Sequence, residues 1–460
     1  MMNLGFPTER CMYLHLLYPG CSSPDMSEWD TSEVTDMSHL FDGYKGDIPD
    51  ISNWNTEKVT NMEAMFKHTE GRVPDLSKWN TKNVTNMKEM FEYSFIRDFV
   101  VPKWDVRKVE DTSYMFNQCG KLVAVDIGQW DMRSIRNMSY MFSLCNKLRD
   151  ITSYNWRVSA SLRMMTSVFQ GCAQLRNIDL SKFDTSRVID MSFLFAGVCK
   201  IKRLDLSNFA THFVENFRET FAHCKEAEEI ILGDNFSTVS ARDMHQMFMR
   251  CYFVREINTS NWNTVNVRDM RGVFEDCIRI RELHVENWNT INVTTICGIF
   301  KSCRTIKKMD LHLWNTVNVL DMSAAFEDCH SLLNVDLTGW DVRNVTDMSE
   351  MFESCRSLVL IKGMEGFETP HLREIGYMFR GCNSLSRLFM HSFNFHYVTD
   401  VAYIFADCNS LVEVSLPNGV NIGTFFQAFG SRQDCNQLFA KRAVAYNGFY
   451  GNMELEGEEF

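Results

Sequence analysis

An apolar residue followed by Phe recurs along the whole chain, and no other feature narrows the possible folds so far. The Phe stands at Phe41, Phe66, Phe91, Phe116, Phe142 and Phe169, and the series runs on through Phe352, Phe379 and Phe405 in steps of 25, 26 or 27 residues. Twelve residues ahead of nearly every one comes a Trp or Phe, as at Trp29, Trp54, Phe183, Trp262 and Trp340; Trp156 is displaced by one residue. All ten Trp of the chain belong to this column. A fixed period of this size marks a repeat array, in which stacked units bury a continuous core and the chain grows in one dimension. Length alone would suggest about three domains for 460 residues, and the period overrides that expectation.

One unit reads clearly at 336–361, DLTGWDVRNVTDMSEMFESCRSLVLI. After its Cys comes an L-x-x-L-x-L pattern, seen also in Leu175, Ile178 and Leu180, which is the strand signature of leucine-rich repeats. Val345, Met348, Met351 and Phe352 fall at helical offsets i, i+3, i+6 and i+7, so the segment before each Phe is expected to be a two-turn helix or a run of 3-10 turns. The predicted fold class is an α/β repeat solenoid of about fifteen repeats, each a parallel strand, a Trp-Asx-Thr corner and a short helix or 3-10 turn. Residues 25–416 form the solenoid. Residues 1–24 and 417–460 are expected to cap it, the latter with a helical stretch near 433–445 and an acidic tail, because open terminal strands invite aggregation.

The aromatic, Val and Met columns are read as core, with Met suiting coils of slightly different shape. A Cys column, from Cys119 and Cys145 to Cys382 and Cys408, has one thiol per repeat and no C-x-x-C. Metal clusters need tighter spacing. Disulfides need a dihedral that parallel, in-register side chains do not offer. Each Cys is therefore expected to be a small buried residue facing the next coil. Two Asx columns follow, one beside the aromatic (Asp30, Asn55, Asn80, Asp105) and one five before the Phe (Asp36, Asn61, Asn86, Asp111). They are read as caps on orphaned turn N–H groups, with stacked calcium sites as the competing reading.

Catalysis finds no foothold. The twelve His scatter over unrelated positions, and no H-E-x-x-H, G-x-S-x-G, P-loop or G-x-G-x-x-G occurs. The chain is expected to be non-enzymatic and to need no cofactor or metal. A formal charge of −12 speaks against nucleic acid or an anionic membrane as partner. The N-terminus lacks the basic start and long apolar run of a secretory signal, and no apolar stretch is long enough to span a bilayer. Sixteen cysteines then point to a reducing setting: the cytoplasm of a host or cell, or a virion. A non-classical export route would leave the same signature.

The unit W-[DN]-T-x-x-V-x-[DN]-M-x-x-M-F-x-x-C-x-x-L-x-x-L-x-L closely resembles the BspA-like surface-protein repeat, and Trp340 to Leu358 (WDVRNVTDMSEMFESCRSL) is nearly a consensus copy. The resemblance covers about 25–416. It implies a leucine-rich-repeat-like solenoid with an adhesion or protein-binding role, in a family found on bacterial and protist surfaces and abundant in giant DNA viruses of amoebae. Secreted members carry a signal peptide, lipobox or anchor that this sequence is read as lacking. The expected function is a protein-binding scaffold, with a capsid-associated or tegument component of a large DNA virus, and so part of a large assembly, as the alternative. A cell-surface adhesin comes third.

Partners of solenoids meet the variable columns, since the repeated ones are occupied with folding. Just after the first L of L-x-x-L, Arg149, Arg176, Lys202, Arg255, Arg281 and Lys307 form a basic stripe broken by Glu228. The stripe is either a polar partner site or a solvated face whose charges pair with one another. Toward the C-terminus the same region turns apolar, at Val359, Leu360, Phe389 and Val412 with Phe395 and Tyr397 nearby. Such a patch is either an interface or a surface covered by 417–460.

Overall fold

The computed structural model describes residues 26–100, 104–153 and 156–417. The expected caps, 1–24 and all of 417–460 but Pro417, lie outside them, and so does the helical stretch near 433–445. The chain divides into two compact units, Met1–Thr295 with Ile299–Cys303, and Ile296–Gly298 with Arg304–Phe460.

Each unit is a stack of parallel coils. In the first, β1 (Asp98–Val100), β2 (Ala124–Asp126) and β4 (Asp150–Thr152) form one sheet, and β3 (Asp131–Met132) pairs β5 (Arg157–Val158). There β6 (Arg203–Leu206) also pairs β7 (Glu229–Leu232), and β8 (Glu256–Ile257) pairs β9 (Glu282–Leu283). In the second, β10 (Lys308–Asp310), β11 (Asn334–Asp336) and β12 (Leu360–Lys362) form one sheet and β13 (Arg387–Phe389) pairs β14 (Glu413–Ser415). Every pairing is parallel, and identical repeat positions meet: Leu204 faces Ile230, and Val335 faces Ile361. Leu204, Val335 and their counterparts in the other strands except Leu283 are buried while the residues on either side are not, as period-2 alternation requires. This is the leucine-rich-repeat-like strand that the L-x-x-L-x-L spacing predicts.

The rest of the expected unit is built differently. Among the described residues the only helical element is a 3-10 turn at Met364–Gly366. The V-T-D-M-S-E-M-F segment is instead a ribbon of overlapping β-turns. In the 348–355 stretch, Met351, Glu353 and Cys355 donate their N–H to the carbonyls of Met348, Glu350 and Phe352. Glu350 and Ser354 hold the third position of the first and last of these turns with φ of 59° and 58°. The same two places, two before and two after the Phe, are left-handed in coil after coil: His39 and Gly43, Ala64 and His68, Tyr140 and Leu144. The alternating hand turns N–H groups toward the neighbouring coil. Met348, Glu350, Phe352 and Ser354 donate to the carbonyls of Glu374, Gly376, Met378 and Arg380 at 2.6–2.9 Å. A helix would spend those donors on its own carbonyls. Spending them across coils costs about 1–2 kcal/mol for each non-Gly left-handed residue and stitches each ribbon to the next.

The aromatic columns stack as core. In the first unit consecutive landmark rings, from Phe41 on Phe66 to Phe274 on Phe300, lie 5.0–6.1 Å apart and within 12° of parallel. In the second, Phe326, Phe352, Phe379 and Phe405 stack at 5.2–6.2 Å. These are offset parallel pairs of the favoured kind. Trp79 and Trp104 donate their indole N–H to the carbonyls of Ile51 and Leu76, and in the second unit Trp340 does so to Leu311. In these three the buried polar end of the indole is thereby satisfied.

Candidate interaction surface

The repeated polar columns are consumed by the fold. All twelve residues of the Asx column five before the Phe accept, through Oδ1, the N–H two residues on; Ser38 on Asp36, Lys88 on Asn86, Arg271 on Asp269 and Ser349 on Asp347 are examples at 2.8–3.0 Å. The column beside the aromatic does the same, as with Glu57 on Asn55 and Arg343 on Asp341. These are Asx turns, so capping accounts for both columns. A third lane serves turns as well: Asp126, Asp179, Asp205, Asp310 and Asp336 accept the N–H of Gly128, Ser181, Ser207, His312 and Thr338. Thr56, Thr81, Thr185 and Thr264 are buried, and their hydroxyls donate to a carbonyl of the next coil. Among the described residues one carboxylate trio, Glu327, Glu350 and Glu353, has ligand atoms close enough to share an ion. Arg380 reaches Glu353 there at 3.3 Å.

The Cys column faces the neighbouring coil, as its spacing implied. The thiols of Cys119, Cys145, Cys251 and Cys277 donate to the carbonyls of Phe91, Phe116, Phe221 and Phe248 at 2.9–3.3 Å. Cys355 and Cys382 do the same to Phe326 and Phe352. Burial pushes the Cys119 thiol up to about 12, and it raises Cys145, Cys172 and Cys355 as well. Such thiols are poor nucleophiles.

What remains is the strand face. In the first unit Arg149, Arg176, Lys202, Arg255 and Arg281 are all exposed. Backbone bonds run down the column: Arg176 N–H to the Arg149 carbonyl, Glu228 to Lys202, and Arg281 to Arg255. Charge pairing is confined to the middle, where Lys202 meets Glu228 at 3.6 Å and Arg203 meets Glu229 at 3.1 Å. Among the described residues Arg149, Arg176, Arg255 and Arg281 have no ion-pair partner. Self-pairing therefore explains one part of the stripe and leaves two backbone-bonded pairs, Arg149 with Arg176 and Arg255 with Arg281, without ion pairs. Lys307 belongs to the second unit, where its column continues as Leu333, Val359, Ser386 and Val412.

In the second unit Leu333, Val359, Leu360, Phe389 and Val412 are 37–52% exposed. Val359, Leu360 and Phe389 line a groove of about 510 Å³ with Met364, Leu388 and Arg387. The apolar turn anticipated near Leu360 and Phe389 is thus one surface. Phe395 and Tyr397 do not line it. Phe395 follows the corner, two residues beyond Phe393, at the place where other coils put their buried Thr; Tyr397 is 57% exposed.

The family described as "Mycoplasma protein of unknown function, DUF285" matches residues 15–121, 75–164, 153–258 and 242–360, together well over half of the chain. The chain belongs to this family. The "BspA type Leucine rich repeat region" matches residues 323–433, so the resemblance read from WDVRNVTDMSEMFESCRSL holds at the level of the repeat. No curated protein matches. Among solved structures, a leucine-rich repeat protein from Bacteroides ovatus is similar at 17% identity and a TM-score of 0.41, over 67% of this chain and 76% of that one. A leucine rich cell surface protein from Faecalibacterium prausnitzii is similar at 14% identity and 0.39, over 68% and 84%. An internalin from Listeria monocytogenes follows at 12% and 0.22, over 73% and 85%.

Proposed function

We propose that this DUF285 chain is a non-enzymatic scaffold that binds another protein along its strand faces. The observation that carries the reading is the contrast between lanes. The Asx columns spend their oxygens on turns of their own coil, and the Thr and Cys columns spend their polar atoms on neighbouring coils. The strand face keeps Arg149, Arg176, Arg255 and Arg281 exposed and, among the described residues, without an ion-pair partner, and keeps apolar side chains open around Leu360 and Phe389. Exposed arginine and aromatic side chains beside apolar surface are what protein interfaces enrich. The stack of protonated thiols suits a reducing setting. The viral reading, a capsid-associated or tegument component, places the same faces against other particle proteins. Stoichiometric presence in purified particles would favour it over a soluble scaffold, and an exported adhesin would be recovered at the cell surface. The test of the binding reading is triple reversal of Arg176, Arg255 and Arg281 to Glu. Partner recovery in a pull-down should fall at least tenfold with an unchanged melting temperature, and unchanged recovery would refute the first unit's part in binding.

A further inference from the structure

Among the described residues the strand side of the first unit is not bonded at every seam, and one of the unbonded seams opens into a cavity. Residues 70–72 bond backward: Glu70 N–H to the Tyr44 carbonyl, Ile48 N–H to the Arg72 carbonyl, and Arg72 N–H to Asp47 Oδ1. Gly71 packs so tightly on that side that a Cβ would stand 2.0 Å from the Gly46 carbonyl oxygen. Forward, Phe95 N–H reaches the Thr69 carbonyl. Beyond that bond, no backbone hydrogen bond among the described residues joins 70–76 to 96–100. The sequence supplies a reason. Pro74 lies in the facing segment and has no N–H to give. β1 pairs β2 on its far side, so Asp98–Val100 is an edge strand on the side facing Val73–Asp75.

The seam opens into a slot of about 520 Å³ lined by Val73, Pro74, Phe95, Ile96, Phe99 and Val100 among others. Val100 is 59% and Phe95 44% exposed. An open edge beside apolar side chains is the arrangement that receives an added strand. The charges at the mouth give its sign. Glu70 is paired with Lys45, and Asp75 accepts Ser77 N–H and Oγ–H. Arg72, Arg97 and Lys121, the last stacked 3.9 Å over the Phe95 ring, have no carboxylate partner among the described residues. Against these three cations stand two carboxylates, Asp98 and Asp75, the latter still charged while it accepts from the neutral Ser77, so the mouth keeps a surplus of one positive charge.

We propose that this slot is a docking site for an extended segment of a partner protein, alternating apolar and acidic residues, added as a strand on the free edge of β1. Main-chain bonds to Asp98–Val100 supply affinity, apolar side chains meet Val73, Phe95 and Val100, and acidic ones meet Arg72 and Arg97. The proposal rests on the scaffold reading; Arg97 continues the column of Arg149 and Arg176, but neither Arg72 nor Arg97 is among the residues reversed in the test above.

The probe is a pool of eight-residue peptides in which Val, Ile, Leu or Phe alternates with Asp or Glu, fluorescein-labelled and titrated into the full chain. Saturable binding is expected, with affinity at least tenfold weaker for R72E/R97E and for peptides N-methylated at alternate amides. Amide exchange at 98–100 should slow on binding. Both Arg side chains are exposed, and a matched melting curve for R72E/R97E establishes that the fold is intact. The proposal is overturned by an absence of saturable binding, or by binding indifferent to R72E/R97E or to N-methylation. The R176E/R255E/R281E variant keeps the peptides apart from the strand-face reading. If that variant loses them while R72E/R97E does not, the slot fails and the strand face stands.

Discussion

The turn ribbon makes a prediction that a helix cannot share. Ser354 is left-handed, with φ of 58°, and the equivalent place one coil on is Gly381 with φ of 73°. Three residues later, Ser357 has ordinary negative φ. A Ser in the left-handed region costs about 1–2 kcal/mol, and a Gly there returns about 0.5–1 kcal/mol of that as lost backbone entropy. Ser354 Oγ has no hydrogen-bond partner among the described residues, so nothing else is forfeited. Ser354→Gly should therefore stabilise the second unit by about 0.5–1 kcal/mol. Ser357→Gly has only the entropy cost and should destabilise it by about the same amount. Ser354→Val adds β-branching at a positive φ and should lose about 1–3 kcal/mol. Urea unfolding followed by Trp fluorescence reads all three as midpoint shifts at constant slope. Were a helix to run on through Ser354 and Ser357, both Gly variants would destabilise by about 1 kcal/mol. Loss of stability in Ser354→Gly would refute the ribbon.

Three further outcomes follow from the columns. Burial holds Asp347 above its ordinary carboxyl range, the carboxylates of Asp321 and Glu374 add to this, and the bonds from Ser349 oppose it. A raised folded-state value gives stability that is present at low pH and lost as pH rises through it. Asp347→Asn, which keeps the Oδ1 cap as Asn61 and Asn86 do in the first unit, should thus stabilise at pH 7 and have no effect at pH 3; equal effects at both would count against it. Because the Asx oxygens serve turns, excess EDTA should leave the melting temperature unchanged, and a drop of several degrees would restore the calcium reading. With Cys119 raised to about 12 and Cys145 and Cys172 also raised by burial, a titration with dithiobis(nitrobenzoate) at pH 8 should leave these three buried thiols unreacted until urea unfolds the chain.

Much of the fold was legible because columns of like residues mean like environments. The Phe and Trp columns gave the stack, the spacing of Leu175, Ile178 and Leu180 gave the strand, and Asn61 or Asp347 gave the caps. The ribbon was not legible from Met348, Met351 and Phe352, since a turn ribbon and a short helix bury the same offsets. Gly43, Gly171, Gly197 and Gly381, each two after a Phe and each at positive φ, carried the signal. Non-Gly residues at the same place in other coils, such as Ser354 and Asp328, obscured it. The binding surface was legible only as composition. Arg149 and Arg203 look equally charged in sequence, and only geometry separates an arginine without a counter-charge from one held by Glu229 and Asp205. The slot beside β1 had one sequence trace, Pro74 in a strand column.

The central claim is that folding consumes the ribbon and corner columns and leaves the strand face for partners. Site-specific photocrosslinking tests it most directly. The crosslinking residue is placed at Arg176 and Val359 on the strand face, and at Thr294 and Leu320, which are equally exposed just ahead of the ribbon. Covalent adducts of one discrete partner mass from the first pair, and none from the second, are the predicted result. Adducts confined to Thr294 and Leu320 would contradict it.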